Sequence, residues 1–298
     1  MDKFDFATGA ALIGVCEENG ITVSEAMIRR ETERSQRPRE EIVAQMAENL
    51  RVMNECVQRS QQPGLKIMGG FIGGESQKLS QHIRTHGAMG GMISRAAAYA
   101  MGVIEVNASM GRIVAAPTAG SSGVIPGVLI AAKEEYDLDD GVLIDALFNA
   151  GAIGYLIARN ATVSGAEGGC QAEVGAASAM AASALCQIMG GSVNDCLSAA
   201  GDAISNILGL VCDPICGLVE APCQKRNAMG VANAVISAEI ALATCRTLIP
   251  FDEVVHAMRS VGKSIPYQLR ETALGGLAKC PSVKHGPPAQ CSDCDECE

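Results

Sequence analysis

Residues 174–191 read VGAASAMAASALCQIMGG, a run of small and apolar residues that contains no charged residue. Residues 142–158 and 228–249 are similarly rich in Ala and other apolar residues. Alanine is the best helix former, and the strict apolar–polar alternation of a strand is nearly absent from the chain. The sequence therefore predicts an all-α fold, a compact Gly/Ala-rich helical domain, with room for a short strand at Ile113-Val114.

None of these stretches is a clean run of about 20 uncharged apolar residues, the length that a membrane span needs. Asp145 lies in the first stretch, Glu239 lies in the last, and Glu173 adjoins the middle one. We therefore expect buried core helices and no membrane association. The first residues, Met1–Asp5, are charged and lack an apolar signal core, so a cytoplasmic location is expected.

The overall composition excludes one large class of function. The chain has 298 residues, a net charge of −10, only 3% aromatic residues and no Trp. Nucleic-acid binding usually needs a basic face and aromatic rings for stacking, so no nucleic-acid partner is expected. With 48% hydrophobic residues, the chain is long enough to bury a substantial core.

Three regions are predicted along the chain. Residues 1–62 form an N-terminal helical arm, in which Thr22–Glu25 fits a capping box and Pro38 suits a first helical position. Residues 63–278 form the main helical domain, and residues 279–298 form a Cys-rich acidic tail. One apolar stripe of helical spacing marks the arm: Ile42, Met46, Leu50, Met53 and Val57.

Thirteen cysteines need an explanation, and their odd number argues against a disulfide framework in a cytoplasmic protein. Cys170, Cys212 and Cys223 lie in segments bounded by Gly or Pro, where the backbone can approach a metal centre closely. Cys216 could equally be grouped with the last two, and the spacing matches no short zinc motif. The following cysteines, within helical patterns, are predicted to be ordinary thiols: Cys16, Cys56, Cys186, Cys196 and Cys245.

The segments around these cysteines resemble the α subunit of bacterial iron–sulfur L-serine dehydratases, and the resemblance covers nearly the whole chain. The matching segments are MIRRE (27–31), AAPTAGSSG (115–123), SGAEGGCQAEVG (164–175), CDP (212–214), PCQKRNA (222–228) and LRETALGGLA (269–278).

This resemblance implies that Cys170, Cys212 and Cys223 hold a [4Fe–4S] cluster in the catalytic domain, residues 63–278. Three ligands leave one iron open to act as a Lewis acid. The implied reaction converts L-serine to pyruvate and ammonia without pyridoxal phosphate, a step of amino-acid catabolism and gluconeogenesis. In this family a β subunit, or a fused domain, carries a Ser-Ser-His-Thr element that this chain lacks, so a hetero-oligomer is expected. The catalytic base is not identified by the sequence, and the partner is one source for it.

A Gly/Ser-rich loop is the candidate site for the substrate's carboxylate. Its residues are Thr118, Ala119, Gly120, Ser121, Ser122 and Gly123. Their amides and hydroxyls can bind an anion, although a turn that caps the next helix is the alternative. Weaker candidates are the polar residues beside Cys223, namely Lys225, Arg226 and Asn227. The four histidines are not predicted to be catalytic: His82, His86, His256 and His285.

The tail contains Cys291, Cys294 and Cys297, whose spacing resembles part of a ferredoxin ligand run. A disordered acidic tail is the first interpretation. Capping of the open iron is the second, and a second metal site that uses Cys280 is the third. Two other functions also stay open. They are a cysteine desulfidase with similar cluster chemistry and a non-catalytic iron–sulfur protein. A helical protein without metal would be the simplest alternative.

Overall fold

The computed structural model describes residues 3–87, 89–243 and 247–283. This part of the chain is 70% helical, with twelve α-helices and no strand, which confirms the predicted all-α fold. Ile113-Val114 accordingly forms no strand. The helices are α1 (Gly9–Asn19), α2 (Val23–Ser35), α3 (Arg39–Ser60), α4 (Glu75–His86), α5 (Met92–Ala108), α6 (Val124–Tyr136), α7 (Asp140–Asn160), α8 (Gly165–Gly168), α9 (Ala176–Ile188), α10 (Val193–Ser205), α11 (Cys223–Leu242) and α12 (Phe251–Ser264).

Helix α9 is the centre of the fold. Every residue from Ala176 to Cys186 is buried, and the helix packs against α6, α7, α10 and α11. A helix that is apolar on all sides must be surrounded by other elements, so the small side chains of 174–191 account for its central position. The remaining helices surround this bundle.

Helix α7 is, among the described residues, the one helix long and apolar enough to cross a membrane by length and composition. In this fold it packs against α2 and α9, and 61% of its most apolar window is buried in the protein. This is the environment of a core helix.

The N-terminal helices contribute to the same core, because Leu12 and Leu50 belong to the same hydrophobic cluster as α9. Thr22 caps α2 by accepting a hydrogen bond from the Glu25 amide at 3.2 Å. The predicted capping box is incomplete, since the Glu25 carboxylate pairs with arginines instead. Pro38 lies one residue before the first turn of α3 and not inside it.

Close packing of α6 on α5 depends on Gly127. A Cβ at this position would lie 2.7 Å from the carbonyl oxygen of Ala96 and 3.0 Å from the Cβ of Ala100. We expect Gly127→Ala to lower the free energy of unfolding by about 1–3 kcal/mol, measured by urea denaturation. The control is Gly151→Ala in α7, where a Cβ meets nothing within 4 Å. The control should raise stability by about 0.5–1 kcal/mol, and equal effects would contradict this account of the helix contact.

Candidate metal centre

Cys170, Glu173 and Cys212 converge in the interior of the bundle. Glu173 Oε2 lies 3.9 Å from Cys170 Sγ and 3.7 Å from Cys212 Sγ. The three ligand atoms all lie within 4.8 Å of one another, and all three residues are buried. Within the described ranges, this is the one group of three such side chains close enough to hold a metal ion.

Cys170 is positioned by a bend and a widened helical turn. Gly169 adopts φ +76°, a conformation that favours glycine, and a π-helical turn follows over Gln171–Gly175 before α9 begins. Gln171 fixes this turn because its side chain accepts a hydrogen bond from the Gly209 amide and donates one to the Met258 carbonyl, each at 2.9 Å. Single π turns of this kind occur often at functional sites.

Cys212 is held by the backbone of the segment 269–271. Its amide donates to the Leu269 carbonyl at 2.8 Å, and its carbonyl accepts from the Glu271 amide at 2.8 Å. The neighbouring Asp213 carboxylate accepts from the Leu277 amide at 2.7 Å. The C-terminal segment therefore fixes the position of the second cysteine.

Cys223 begins α11, directly after a cis peptide bond between Ala221 and Pro222. It is 8% exposed, and its thiol interacts electrostatically with Cys170 and Glu173. Burial, reinforced by these two neighbours, raises the pKa of Cys223 to about 12. The fold thus brings Cys170 and Cys212 into one close group with Glu173, Cys223 lies outside this group of three, and Cys216 is exposed in a separate turn.

Arg226 places a positive charge beside the sulfurs. Its Nη1 lies 3.4 Å from Cys170 Sγ and donates to the Val211 carbonyl at 2.9 Å. Its Nη2 forms an ion pair with Asp213 Oδ1 at 2.8 Å. Burial works against the charged guanidinium, but Cys170 and Asp213 outweigh it and raise the pKa of Arg226. The arginine therefore stays charged and can stabilise negative charge on sulfur.

The Glu173 carboxyl and the Cys212 thiol favour their protonated forms. Burial raises the pKa of Glu173. The interaction with the Cys170 thiol, together with burial, raises the pKa of Cys212. A metal that bound here would have to displace these protons, as metal binding to thiols generally does.

The predicted substrate loop lies against this group through one side chain. Thr118 Oγ1 donates a hydrogen bond to Glu173 Oε1 at 2.7 Å, and it lies 3.2 Å from Ser121 Oγ. Ser122 Oγ donates to the Ala119 carbonyl at 2.8 Å, so this hydroxyl is engaged within the loop itself.

Asn227 ties the same loop to α11. Its side chain accepts from the Gly123 amide at 3.0 Å and donates to the Gly120 carbonyl at 2.8 Å. Of the three weaker candidates, Asn227 and Arg226 therefore support the site, while Lys225 is exposed. The loop, the cysteines and the start of α11 form one connected unit.

The three histidines in the described part of the chain do not join this unit. His82 and His86 stack on one another in α4 with their ring centres 4.7 Å apart, and His256 is exposed on α12. Cys280 is partly exposed near the end of the described chain. The remaining candidates lie outside the described residues: Cys245, His285, Cys291, Cys294 and Cys297.

Sequence reasoning missed Glu173 as a site residue and Asp213 as the partner of Arg226. Glu173 lies three residues after Cys170, within a segment already noted for its glycines. A carboxylate so close to a candidate ligand is a signal that could have been used. Asp213 offered no comparable signal, because its partner is 13 residues away in sequence and is brought near only by the fold.

The fold and site together define an all-α protein with a buried Cys–Glu–Cys group that could hold a metal. The profile of the family Serine dehydratase alpha chain matches residues 18–278, and the chain belongs to this family.

Its relatives include "Probable L-serine dehydratase, alpha chain" of Bacillus subtilis, 47% identical over 91% of this chain and 90% of the relative. The "L-serine dehydratase, alpha chain" of Peptoniphilus asaccharolyticus is 45% identical over 91% of this chain and 93% of the relative. A longer protein, "L-serine dehydratase" of Streptomyces coelicolor, is 38% identical over 93% of this chain but only 61% of its own length.

Proposed function

We propose that this chain is the α subunit of an L-serine dehydratase, which converts L-serine to pyruvate and ammonia. In this proposal Cys170, Cys212 and Cys223 hold a [4Fe–4S] cluster. The observation that carries it is the convergence of Cys170 and Cys212 on Glu173 in the interior of the bundle. The three relatives described above are all named L-serine dehydratases, which supports the choice of substrate.

The residues present fit such a cluster. Thiols are the usual ligands of iron–sulfur clusters, and three buried thiols lie in this region. Space beside them depends on Gly165, since a Cβ there would lie 2.5 Å from Glu173 Oε2 and 3.1 Å from Cys212 Sγ. Arg226, 3.4 Å from Cys170 Sγ, would offset the negative charge of a thiolate-bound cluster.

A cluster with three thiolate ligands would supply one open iron, a Lewis acid that makes the serine hydroxyl a better leaving group. The loop Thr118–Gly123 would bind the substrate's carboxylate. Ala119 and Gly120 open a short 3₁₀ helix, so their amides have no acceptor within that helix and are available to an anion. The Thr118–Glu173 hydrogen bond sets the distance between this loop and the sulfurs.

The reaction then requires loss of the Cα proton and of the hydroxyl group, which leaves an enamine. Its imine tautomer reacts with water to give pyruvate and ammonia. Holding the carboxylate beside the sulfurs would orient the Cα proton and the hydroxyl for this elimination. No pyridoxal phosphate takes part in the proposal.

The proposed partner is a β chain that carries a Ser-Ser-His-Thr element and completes the active site. Two observations support a partner. Relatives of the same length are named alpha chains, and the longer single-chain relative contains a region beyond the part that this chain matches. That β chain would also be the source of a catalytic base.

Anaerobic reconstitution with iron and sulfide tests the proposal, followed by visible spectroscopy with L-serine and assays with the candidate β chain. We expect about four irons per chain, an absorbance change on addition of L-serine, and pyruvate formation. Sulfide release from L-cysteine at a higher kcat/KM than pyruvate formation from L-serine would replace the proposal with a desulfidase. No iron uptake by the folded chain would overturn it.

A further inference from the structure

A second group of thiols lies far along the bundle from the candidate metal centre. Cys186 is in the last turn of α9, Cys196 is in the first turn of α10, and Cys16 is in α1. All three are at most 2% exposed. The Gly191 amide donates to the Cys186 carbonyl at 2.9 Å, so the short connection between the helices folds back on Cys186. This helical hairpin brings Cys186 and Cys196 into direct interaction.

Buried polar side chains surround Cys196, although the core around them consists largely of alanine. Asn149 Nδ2 lies 3.9 Å from Cys196 Sγ and donates to Gln187 Oε1 at 2.9 Å. Ser183 Oγ donates to Asn149 Oδ1 at 2.6 Å, which fixes the orientation of the amide. Both Asn149 and Ser183 are fully buried. A hydrogen-bond donor directed at a buried sulfur favours the thiolate, the reactive form of cysteine.

The geometry distinguishes the two thiols, because Cys196 faces the Asn149 amide and lines a surface pocket, whereas Cys186 is not among the residues that line it. Hydrogen bonding from Cys186, with help from Asn149 and Ser183, lowers the pKa of Cys196 against the effect of burial. The same interaction, together with burial, raises the pKa of Cys186. Cys56 is a contrast within the chain, since burial alone raises its pKa to about 12.

A pocket gives small molecules a route to Cys196. It has a volume of about 340 Å³, and Cys16 and Cys196 lie in its lining. Its other walls include Glu17, Thr22, Gln187 and Ser192, which offer polar groups in a lining that is otherwise mainly apolar. Glu17 and the adjoining Gly20 are exposed, so the pocket reaches the surface. A volume of this size accommodates a small polar molecule such as a hydroperoxide.

We propose that Cys186 and Cys196 are an oxidisable thiol pair, which reacts with hydrogen peroxide or a small organic hydroperoxide from this pocket. The Cys196 thiolate attacks a peroxide oxygen, an S–O bond forms, the O–O bond breaks, and the leaving hydroxide takes a proton to become water. The Cys186 sulfur then attacks the sulfenic acid. The S–S bond forms, the S–O bond breaks, and the second hydroxide leaves as water with the Cys186 proton. Two thiols are oxidised and hydrogen peroxide is reduced to two waters; with an organic hydroperoxide the first leaving group is an alkoxide, and the products are one alcohol and one water.

The test is a thiol map of the full chain. The protein is treated briefly with stoichiometric hydrogen peroxide, the peroxide is removed, and the free thiols are alkylated in neutral denaturant. Cleavage before aspartates releases residues 195–201, in which Cys196 is the only cysteine, and residues 145–194, which contain Cys170 and Cys186. We expect these fragments to be recovered linked, with the link broken by dithiothreitol. The oxidised fraction of Cys196 should exceed that of Cys56 by more than about tenfold.

Two variants identify the partners. In Cys186→Ser the link should be lost, and dimedone should trap Cys196 as a sulfenic acid. Cys216→Ser should leave the link unchanged. If Cys196 in treated wild-type protein is alkylated as fully as Cys56, or if the link survives in Cys186→Ser, the proposed pair is wrong. If Cys186→Ser does not fold, further cleavage of the linked wild-type fragments after Glu173 separates Cys170 from Cys186, and a link retained by Cys170 would contradict the pair.

Discussion

Cys212→Ala is expected to abolish iron binding and serine turnover while the helical fold is retained. The sulfur is one of the proposed cluster ligands and lies 3.7 Å from Glu173 Oε2. The backbone at Cys212 is fixed by Leu269 and Glu271, so loss of the side chain leaves those two hydrogen bonds in place. We expect iron content after reconstitution to fall from about four to below one per chain, and pyruvate formation to fall more than about 100-fold. Circular dichroism should be unchanged.

The matched control is Cys216→Ala, four residues further along the chain and exposed. This control also decides between the two groupings of cysteines that the sequence left open. We expect normal iron content and normal turnover from it. If Cys216→Ala lost its iron and Cys212→Ala kept it, the ligand set proposed here would be wrong. If both variants kept their iron, Cys212 would have no place in the site.

The fold could be predicted from the sequence because its decisive feature is local. The run of alanines in 174–191 has strong helix propensity and is apolar on every side, so it had to be a buried helix. Details at helix ends were less predictable. Thr22 and Glu25 fit a capping box by spacing, but Arg29 and Arg39 compete for the Glu25 carboxylate, and Arg39 approaches it only in the folded protein.

The site could be predicted only in part, because its geometry depends on contacts between segments that are distant in sequence. Cys170, Cys212 and Cys223 stood out through their Gly- and Pro-bounded segments and through resemblance to a family. The convergence of Cys170 and Cys212 on Glu173 depends on a π turn and on pairing with the segment 269–271, and neither feature has a sequence signature.

The sequence did not single out Cys186 and Cys196, because cysteines within apolar helical stripes are usually ordinary core residues. Cys186 and Cys196 occur in helical stripes, where a small apolar residue needs no further explanation. The difference between Cys196 and Cys56 comes from Asn149 in α7 and Ser183 in α9, which the fold brings next to Cys196 in α10. Polar neighbours contributed by the fold therefore separate a reactive thiol from an inert one.

Gly165→Ala should reduce iron incorporation strongly without changing any proposed ligand. A Cβ at this position would lie 2.5 Å from Glu173 Oε2 and 3.1 Å from Cys212 Sγ, in the space that the cluster is proposed to fill. The atoms that must move belong to side chains, so the fold should persist while the arrangement of Glu173 and Cys212 changes. We expect the affinity for iron to fall by about 10–100-fold, the range seen when residues that support metal ligands are changed.

Iron content and visible absorbance after reconstitution measure this effect independently of turnover. The control is Gly175→Ala, which lies in the π turn of the same segment, where a Cβ meets nothing within 4 Å. The control should bind iron normally, since it adds the same methyl group without entering the site. Gly165→Ala with full iron content would mean that the cluster does not occupy the space beside Cys212. A loss in both variants would assign the effect to the backbone of this segment, and the steric argument would fail.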